Sequence, residues 1–396
     1  MASKLKLTEL LYPTSTTAAI TINSDDSVTI PTQSTTTITT SGNVTVGGTL
    51  AVGGGNISPQ TGFKNRIING AMTIDQRNNG ALIPSAGNQY TVDRWVFYNS
   101  QVNKLAVGQN AGASTPPEGF KNYLGFVSLS AYSLLSSDYF VIDQPIEGLN
   151  VYDLDWGTPN AKTITISFKV YSSLTGTFGG SISNSAGNRS YPFTYTVATP
   201  LTWGTASVTI PGDTTGTWLN DNGLGIRVRF SLGVGSSNQG TPNAWQASNA
   251  NAPTGAVSVV GTNGATFYIT GVQLEKGSTA TPFEFRSIGT ELALCERYFQ
   301  TITSGMRVSA MTFNSTVLPA NWIFKTTMRA APTTTATVGA STILCGGSNL
   351  SVTSIGGGVA TVYNYSMDVA VASGATAGFG AELRLSGGRI DASAEL

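Results

Sequence analysis

Histidine is absent from this chain of 396 residues, so the commonest general base and the commonest metal ligand are missing. Ser-His and Cys-His catalysis are therefore excluded, and so are most zinc sites. The two cysteines, Cys295 and Cys345, permit one disulfide, and the sequence leaves open whether they pair. Cys295 stands in a helix-like segment of core character, which favours free, buried thiols.

Charged residues are also scarce, at 11 % of the chain against about 25 % in a typical globular protein. The 21 basic and 21 acidic residues cancel, and no basic block stands out, which argues against nucleic acid as a partner. No run approaches the ~18 apolar residues of a membrane span, and no secretory signal opens the chain. We expect a soluble chain that is made in a cytoplasm and acts outside a cell only within an assembly.

Glycine is abundant, with 46 residues, and Thr, Ser and Asn fill most of the remaining polar positions. This composition favours strands and turns over helices. The length predicts two or three folded units. We predict an all-β chain with an N-terminal fibrous β-stalk, a central jelly roll or β-sandwich, one short connector helix and a C-terminal β-sandwich.

The first 62 residues differ from the rest. After Leu10 their only charges are Asp25 and Asp26, and short apolar triplets recur with the period of two of a strand. The triplets are Ile20-Thr21-Ile22, Val28-Thr29-Ile30, Val44-Thr45-Val46 and Leu50-Ala51-Val52. One copy could not bury enough surface to offset its ordering entropy, so we expect residues 13–62 to be a stalk whose core several chains share. A disordered Ser/Thr linker is the alternative, although a linker has no reason to alternate.

Residues 1–12 form a separate N-terminal segment that is rich in apolar side chains. An isolated soluble chain would gain nothing from exposing them ahead of a polar stalk, so docking onto a larger particle is the expected use. The candidate attachment residues are Leu5, Leu7, Leu10, Leu11 and Tyr12.

Residues 63–286 predict a large β-domain. In the stretch 224–232 the side chains of Ile226, Val228 and Phe230 alternate with Arg227 and Arg229, which places the first three in a core and the arginines in solvent. Similar alternation appears at Ile164, Ile166, Phe168 and Val170, and again at Phe193, Tyr195 and Val197. Turn-forming clusters separate these strands, which is typical of a sandwich or jelly roll.

Residues 287–300 predict one helix that connects two β-domains. Its apolar stripe has spacings of four, three and four, formed by Ile288, Leu292, Cys295 and Phe299. Glu291 in the first turn and Arg297 near the last suit the helix dipole. Residues 301–396 return to alternating strands, with a turn at Gly356-Gly357-Gly358, and predict the smaller C-terminal β-domain.

Several stretches resemble a group of bacteriophage tail-fibre and virion-associated proteins. In the central domain they are residues 65–72 (NRIINGAM), 90–95 (YTVDRW), 267–277 (FYITGVQLEKG) and 280–284 (ATPFE). Later ones are residues 295–299 (CERYF) and 328–332 (MRAAP), and residues 40–50 (TSGNVTVGGTL) resemble the stems of trimeric phage fibres. The resemblance implies a homotrimer with a jelly-roll domain similar to carbohydrate-binding modules.

Two tryptophans are the best candidates for a sugar platform, because sugars stack on aromatic faces while amides and carboxylates bind their hydroxyls. Trp245 lies in the long polar loop 236–255, close to Asn243 and Gln246. Trp218 is followed by Asn220 and Asp221. The alternative is that both rings are ordinary half-buried packing residues.

Other conspicuous side chains favour structural roles. Asp93 and Arg94 beside Trp95 predict a satisfied ion pair packed on a ring rather than a ligand clamp. Gln273 and Glu275 favour closure of the sheet over binding.

We expect no enzymatic activity, no cofactor and no metal. The available carboxylates do not specify the pair that a glycosidase needs across the scissile bond, namely Glu147, Asp153, Asp155, Asp213 and Asp221. Neither Asp25-Asp26 nor Asp153-x-Asp155 has the loop spacing of a calcium site.

The leading hypothesis is a homotrimeric phage tail-fibre subunit that belongs to the virion. It would attach to other tail or virion proteins through its N-terminal segment and recognise a host surface glycan or protein through its β-domains. A structural fibre or adaptor without a receptor role is the alternative. A polysaccharide-degrading spike is a third hypothesis, which the missing carboxylate pair disfavours.

Overall fold

The computed structural model describes residues 63–112 and 114–396 and, before them, the backbone of five short strands. The chain forms two compact units, Met1–Ser58 and Pro59–Leu396. The strands of the first unit are β1 (Glu9–Leu11), β2 (Ala18–Ile22), β3 (Val28–Thr29), β4 (Leu50–Val52) and β5 (Gly55–Ile57).

In the first unit, β1, β2 and β3 form an antiparallel sheet and β4 pairs with β5. The predicted strands at Ile20–Ile22 and Leu50–Val52 are confirmed as parts of β2 and β4, whereas the triplet at Val44–Val46 lies outside the described residues. Of the attachment candidates, Leu10 and Leu11 belong to β1, where Leu10 pairs with Ile20. Leu5, Leu7 and Tyr12 lie outside the described residues. The shared core of the stalk stays a prediction.

The central domain is an antiparallel β-sandwich of two six-stranded sheets. The front sheet has the order β14-β13-β16-β11-β8-β7 and the back sheet the order β15-β12-β19-β10-β9-β6. The strands are β6 (Ile83–Pro84), β7 (Gln89–Tyr90), β8 (Val96–Asn99), β9 (Leu105–Gln109), β10 (Leu124–Ser128), β11 (Tyr139–Glu147), β12 (Ile164–Ser172), β13 (Gly176–Ser183), β14 (Ser190–Val197), β15 (Gly204–Ile210), β16 (Leu224–Val234), β17 (Gln239–Gly240), β18 (Ala252–Pro253) and β19 (Thr266–Lys276). The short strands β17 and β18 pair in parallel within the long loop that follows β16.

The alternation along β16 decides which side chains reach the core. Ile226, Val228 and Phe230 are fully buried between the sheets, as predicted. The intervening arginines point to the other face of the front sheet, but Arg229 is 8 % exposed and does not face open solvent as expected. The reason is that the loop after β16 folds back over this face.

The connector helix α1 spans Ile288–Glu296, inside the predicted segment 287–300. Ser287 caps its N-terminus, because the hydroxyl accepts the N–H of Thr290. The predicted apolar stripe needs correction, since Phe299 begins a strand beyond the helix and Ile288 is 59 % exposed. The helix α1 has nine residues, which is too short to cross a membrane. No helix among the described residues is long and apolar enough to do so.

Both cysteines are free and buried, as the sequence favoured. Cys295 packs in a small core with Ile68, Ile74 and Tyr298, and burial raises the pKa of its thiol. Cys345 belongs to the separate core of the C-terminal domain.

The C-terminal domain is a closed barrel and not the expected sandwich. Its strand order is β21-β22-β26-β25-β24-β27, beside a three-stranded sheet of order β20-β28-β23. The strands are β20 (Phe299–Ile302), β21 (Arg307–Met311), β22 (Val317–Ile323), β23 (Thr333–Thr337), β24 (Thr342–Cys345), β25 (Ser348–Ala360), β26 (Asn364–Val371), β27 (Gly380–Arg384) and β28 (Arg389–Ser393).

The triple glycine forms an irregularity in one strand of the barrel. Gly356, Gly357 and Gly358 do not form the expected turn but lie inside the 13-residue strand β25, where the register with β26 shifts between Gly356 and Val359. Such a bulge bends a strand and increases its twist, which allows a sheet to curl back on itself. β25 pairs with β24 through residues 348–351 and with β26 through residues 352–360, so the glycine bulge lies in the part that faces β26.

Candidate functional site: a polar groove on the front sheet

The two predicted tryptophans come together, but as a packed cluster. Trp218 and Trp245 lie 5.6 Å apart between ring centroids, and both contact the buried Trp156 at nearly perpendicular angles. Each indole N–H donates to a backbone carbonyl, for example Trp245 Nε1 to Pro211 at 2.8 Å. Trp218 and Trp245 are half-buried, so packing accounts for much of their surface.

The polar residues predicted beside these rings divide between two uses. Asn220 lines a cavity of about 130 Å³ together with Trp218, which is smaller than the ~300–1,000 Å³ of ordinary ligand pockets. Asp221 accepts the N–H of Gly223, Asn243 bonds Thr194, and Gln246 bonds Thr241 and Ser190. These last three side chains hold loops in place, and they do not converge on a ligand space with Trp218.

A larger depression lies on the outer face of the front sheet, and we call it the groove. Its volume is about 430 Å³, within the range of ligand pockets. β8 and β11 provide an aromatic side with Tyr98 and Tyr139, and β16 provides Arg227 and Arg229. The turn after β13 and the loop after β16 add amides to its rim, namely Asn184, Asn238, Asn249 and Asn251.

Beneath the groove lies a buried cluster of charge. The carboxylate of Asp143 on β11 is fully buried and accepts from Arg227 at 2.8 Å and from Arg229 at 3.3 Å. Burial lowers the pKa of Arg227, but the Asp143 carboxylate and the Tyr98 hydroxyl together outweigh burial and raise that pKa above its ordinary value. In Arg229 burial has the larger effect and lowers the pKa, although Asp143 opposes it. Both guanidinium groups remain charged at neutral pH.

Arg229 also ties the covering loop to the sheet. Its Nη1 donates to Asn249 Oδ1 and to Asn251 Oδ1, each at 2.8 Å. Asn238 in the same loop donates to the backbone carbonyls of Ser137 and Asp138. The rim of the groove is thereby held on a rigid sheet, which suits a preformed binding site.

Three buried polar atoms on this face have no hydrogen-bond partner in the described part of the chain: Asp143 Oδ1, Ser181 Oγ and Ser183 Oγ. The register places Ser181 opposite Arg229 and Ser183 opposite Arg227, so both hydroxyls share the face of the arginines. Buried polar groups in proteins are nearly always satisfied by protein groups or by ordered water. The three unpaired atoms add to the polar character of this face of the sheet.

Further polar groups open directly into the groove. Within the described residues, Arg227 bonds through Nη1 only, to Asp143 and to the hydroxyl of Tyr98, which leaves Nε and Nη2 open. Asn249 is exposed and uses only its Oδ1. Amides and a guanidinium beside two tyrosine rings can hydrogen-bond hydroxyl groups while a ring packs against C–H groups.

The sequence contained a partial signal for this site. The loop 236–255 is visibly rich in amides, but its most conspicuous residue is Trp245 rather than Asn249 or Asn251. The alternation of β16 predicts that its two arginines face solvent. Alternation identifies the outer face of a strand, but it does not show whether a loop covers that face. Tyr98 and Tyr139 stand on other strands and carry no signal in their local sequence.

The conspicuous Asp-Arg-Trp segment is structural, although not as the simple pair that was expected. Asp93 pairs with Arg77 at 3.4 Å, whereas Arg94 pairs with Glu395 and packs 3.6 Å from the ring centre of Tyr298. Trp95 is buried in the sandwich core.

Gln273 and Glu275 also serve the fold. Gln273 donates to Glu275 Oε1 at 2.9 Å, and the Glu275 carboxylate accepts the N–H and hydroxyl of Thr281. These bonds close the end of β19 against the segment that follows it.

Three of the five carboxylates considered for hydrolysis are engaged by basic or phenolic side chains. Glu147 accepts from Arg297 and Tyr298, Asp213 accepts from Arg189, and Asp153 pairs with Arg66. Among the described residues, no three acidic or cysteine side chains are grouped to hold a metal ion.

No protein-family model matches the chain, and no curated protein matches it. Among solved structures, a putative sugar binding protein from Bacteroides thetaiotaomicron is similar, with 11 % identity and a TM-score of 0.32, over 54 % of this chain and 100 % of that one. A family 11 carbohydrate-binding module from Clostridium thermocellum, in complex with a β-1,3-1,4-mixed-linked tetrasaccharide, is similar at 12 % identity and a TM-score of 0.25, over 50 % of this chain and 99 % of that one. At TM-scores this low, the likeness does not carry a function from those proteins to this chain.

Proposed function

We propose that the chain is a glycan-binding protein and that the groove of the front sheet is its binding site. The observation that supports this most is the pair of side chains with open hydrogen-bond donors, Arg227 and Asn249, beside the rings of Tyr98 and Tyr139. Glycans combine hydroxyl groups with apolar C–H faces, and this groove offers partners for both. No catalytic step is part of the proposal.

The direct test compares two exposed asparagines in the full chain. Asn249→Ala removes an amide from the groove, and Asn220→Ala removes one from the small cavity beside Trp218. On a printed array of neutral and acidic glycans, we expect the unaltered chain to bind and Asn249→Ala to weaken that binding several-fold, while Asn220→Ala leaves it unchanged.

The opposite result, loss with Asn220→Ala alone, would move the site to the tryptophan cluster. Absence of binding to every glycan would refute the proposed function. Circular dichroism and melting curves of both variants serve as folding controls.

We further propose that the chain is a subunit of a bacteriophage tail fibre, localised in the virion, with host surface glycan or protein as its target. The residue-level resemblance to phage fibre proteins supports this, and so do the short N-terminal strands, each too small to hold a core alone. A homotrimer would let several copies of residues 13–62 share one core. Residues 1–12 would attach the fibre to other virion proteins.

Two measurements test the fibre proposal. Light scattering of the purified full chain should give three times the 41.1 kDa of one copy, and a monodisperse monomer would refute the shared core. Deletion of residues 1–12 should leave the trimer folded but absent from phage particles, whereas normal incorporation would refute their role in attachment.

A structural fibre or adaptor without receptor function is the alternative proposal. Binding of the full chain to host cells separates the two, because only a receptor-binding fibre should be competed from cells by a glycan that binds the groove.

A further inference from the structure

We infer that the groove prefers saccharides that carry an oxyanion, either a carboxylate or a phosphate group, over neutral saccharides. This inference rests on the proposed glycan-binding function of the same groove. Its basis is the local charge balance, since Arg227 and Arg229 contribute two guanidinium groups and pair with the single carboxylate of Asp143. The described residues that line the groove include no acidic side chain.

The carboxylate of Asp143 is out of reach of a ligand, whereas the guanidinium of Arg227 is accessible. The Asp143 side chain has 0 % exposure and the Arg227 side chain 18 %. Asp143 thus neutralises one positive charge from below, and the surplus charge faces the groove. A surplus of charge of one sign that lines a cleft focuses its field in that cleft.

Arg227 is held in a position to bind an oxyanion. Nη1 donates to Asp143 at 2.8 Å and to the hydroxyl of Tyr98 at 3.3 Å, which fixes the plane of the guanidinium. Within the described residues Nε and Nη2 stay unbonded. A guanidinium presents its N–H groups as a planar fork that matches the two oxygens of a carboxylate or phosphate.

Arg229 contributes charge but is not the expected contact. Its Nε binds Asp143, and its Nη1 binds Asn249 and Asn251, so its donors are largely engaged in holding the loop. Arg227 is therefore the specificity-determining residue, and Arg229 is a positioning residue for the rim.

A neutral sugar would gain little from Arg227, because its hydroxyl group would replace a water molecule with a similar hydrogen bond. An oxyanion would form charge-assisted bonds, which are roughly twice as strong as neutral ones. We expect the preference for the charged form of otherwise identical glycans to be about tenfold or more at low salt.

The test uses the unaltered full chain and matched polymers. Polygalacturonate and its methyl ester share one backbone, and esterification replaces each carboxylate with an uncharged methyl ester. Poly(glycerol phosphate) supplies phosphate without carboxylate, and dextran supplies neither. The same glycan array, with sialylated, uronate and phosphorylated members beside neutral counterparts, extends the comparison. Binding confined to the charged members supports the inference, and the carboxylate and phosphate arms show which oxyanion is taken. Added salt should shrink the preference.

The outcomes separate this inference from the function on which it rests. Equal binding of charged glycans and their neutral counterparts, or binding of neutral glycans alone, overturns the oxyanion preference and leaves glycan binding intact. Absence of binding to every member overturns both.

Substitutions test whether Arg227 causes the preference for charged glycans. Arg227→Gln should abolish the preference, and Arg227→Lys should retain part of it, because lysine keeps the charge but lacks the fork. Arg307→Gln on the barrel, whose side chain is 62 % exposed, is the matched control and should bind as the unaltered chain does. If Arg227→Gln bound charged glycans as tightly as the unaltered chain, the assignment of Arg227 would be wrong. The comparison of polymers on the unaltered chain stands even if a variant fails to fold.

Discussion

The buried carboxylate of Asp143 on β11 pairs with two arginines of the neighbouring strand β16, Arg227 and Arg229. Asp143→Asn keeps the shape of the side chain but leaves Arg227 and Arg229 to repel each other without compensation. We expect a loss of about 3 kcal/mol in the free energy of unfolding, which urea titration would measure. Asp155→Asn, at an exposed position, is the control and should change little. Equal stability of the two variants would show that the cluster adds no net stability.

The carboxyl group of Asp138 should make the stability of the fold depend on pH under acidic conditions. Burial raises the pKa of this carboxyl, but hydrogen bonds from Leu135, Ser100, Tyr132 and Gln101 outweigh it, so the pKa lies below its ordinary 3.8. The resulting stability is fully present above pH 3.8 and is lost as the pH falls through the lower, folded-state pKa. Urea midpoints of the unaltered chain and Asp138→Asn should therefore differ most above about pH 4 and converge towards more acidic pH. A constant difference would contradict this account.

At the scale of elements, local alternation predicts strands but not what surrounds them. The pattern of β16 gave the correct core residues Ile226, Val228 and Phe230, because a side-chain period of two depends only on neighbours in the sequence. Closure of the barrel depends on which strands pair with each other, and no local pattern contains that information. The groove depends on a loop that folds over another strand, so its tyrosines and arginines could not be grouped from the sequence.

The bulge in β25 gives a prediction with an internal control. A Cβ at Gly358 would clash with the backbone oxygen of Ser366 on β26, whereas a Cβ at Gly356 would meet nothing within 4 Å. Gly358→Ala should force the two strands apart and destabilise the barrel by about 1–3 kcal/mol. Gly356→Ala should change stability by about 0.5 kcal/mol or less. Thermal melts of the two variants test this, and equal melting temperatures would contradict the close approach of Gly358 to β26.

At the scale of the whole molecule, the sandwich and the barrel belong to one compact unit, Pro59–Leu396. Arg94 of the sandwich pairs with Glu395, 301 positions later in the chain. Glu147 at the end of β11 accepts two bonds from Arg297, at 2.9 and 2.6 Å, and one from the Tyr298 hydroxyl at 2.6 Å. We call these contacts of Glu147 and Arg94 with Arg297, Tyr298 and Glu395 the junction. Their partners are far apart in the sequence, so the sequence could not show which residues pair. They also predict that the sandwich and the barrel unfold together.

Removal of the Tyr298 hydroxyl tests how much the junction contributes to stability. Tyr298→Phe removes the bond to the buried Glu147 and should lower the free energy of unfolding by about 2 kcal/mol, as for other hydrogen bonds to charged groups. Tyr363→Phe is the matched control, because that ring is 65 % exposed. If sandwich and barrel depend on this contact, Tyr298→Phe should also broaden or split the single calorimetric transition, and Tyr363→Phe should not.

The same residue predicts a loss of stability at high pH. Burial raises the pKa of Tyr298 from 10.0 to about 12, with the nearby Glu147 carboxylate acting in the same direction and Arg94 opposing it. Because the folded state holds the phenolic proton more tightly than the unfolded state, the contribution is fully present below pH 10 and disappears as the pH rises towards 12. Ultraviolet titration should show one fewer tyrosine ionising near pH 12 in Tyr298→Phe, and the stability difference between that variant and the unaltered chain should narrow over this range. A Tyr298 that ionises near pH 10 in the folded chain would mean that the junction is open to solvent, and the two β-domains would then be free to unfold separately.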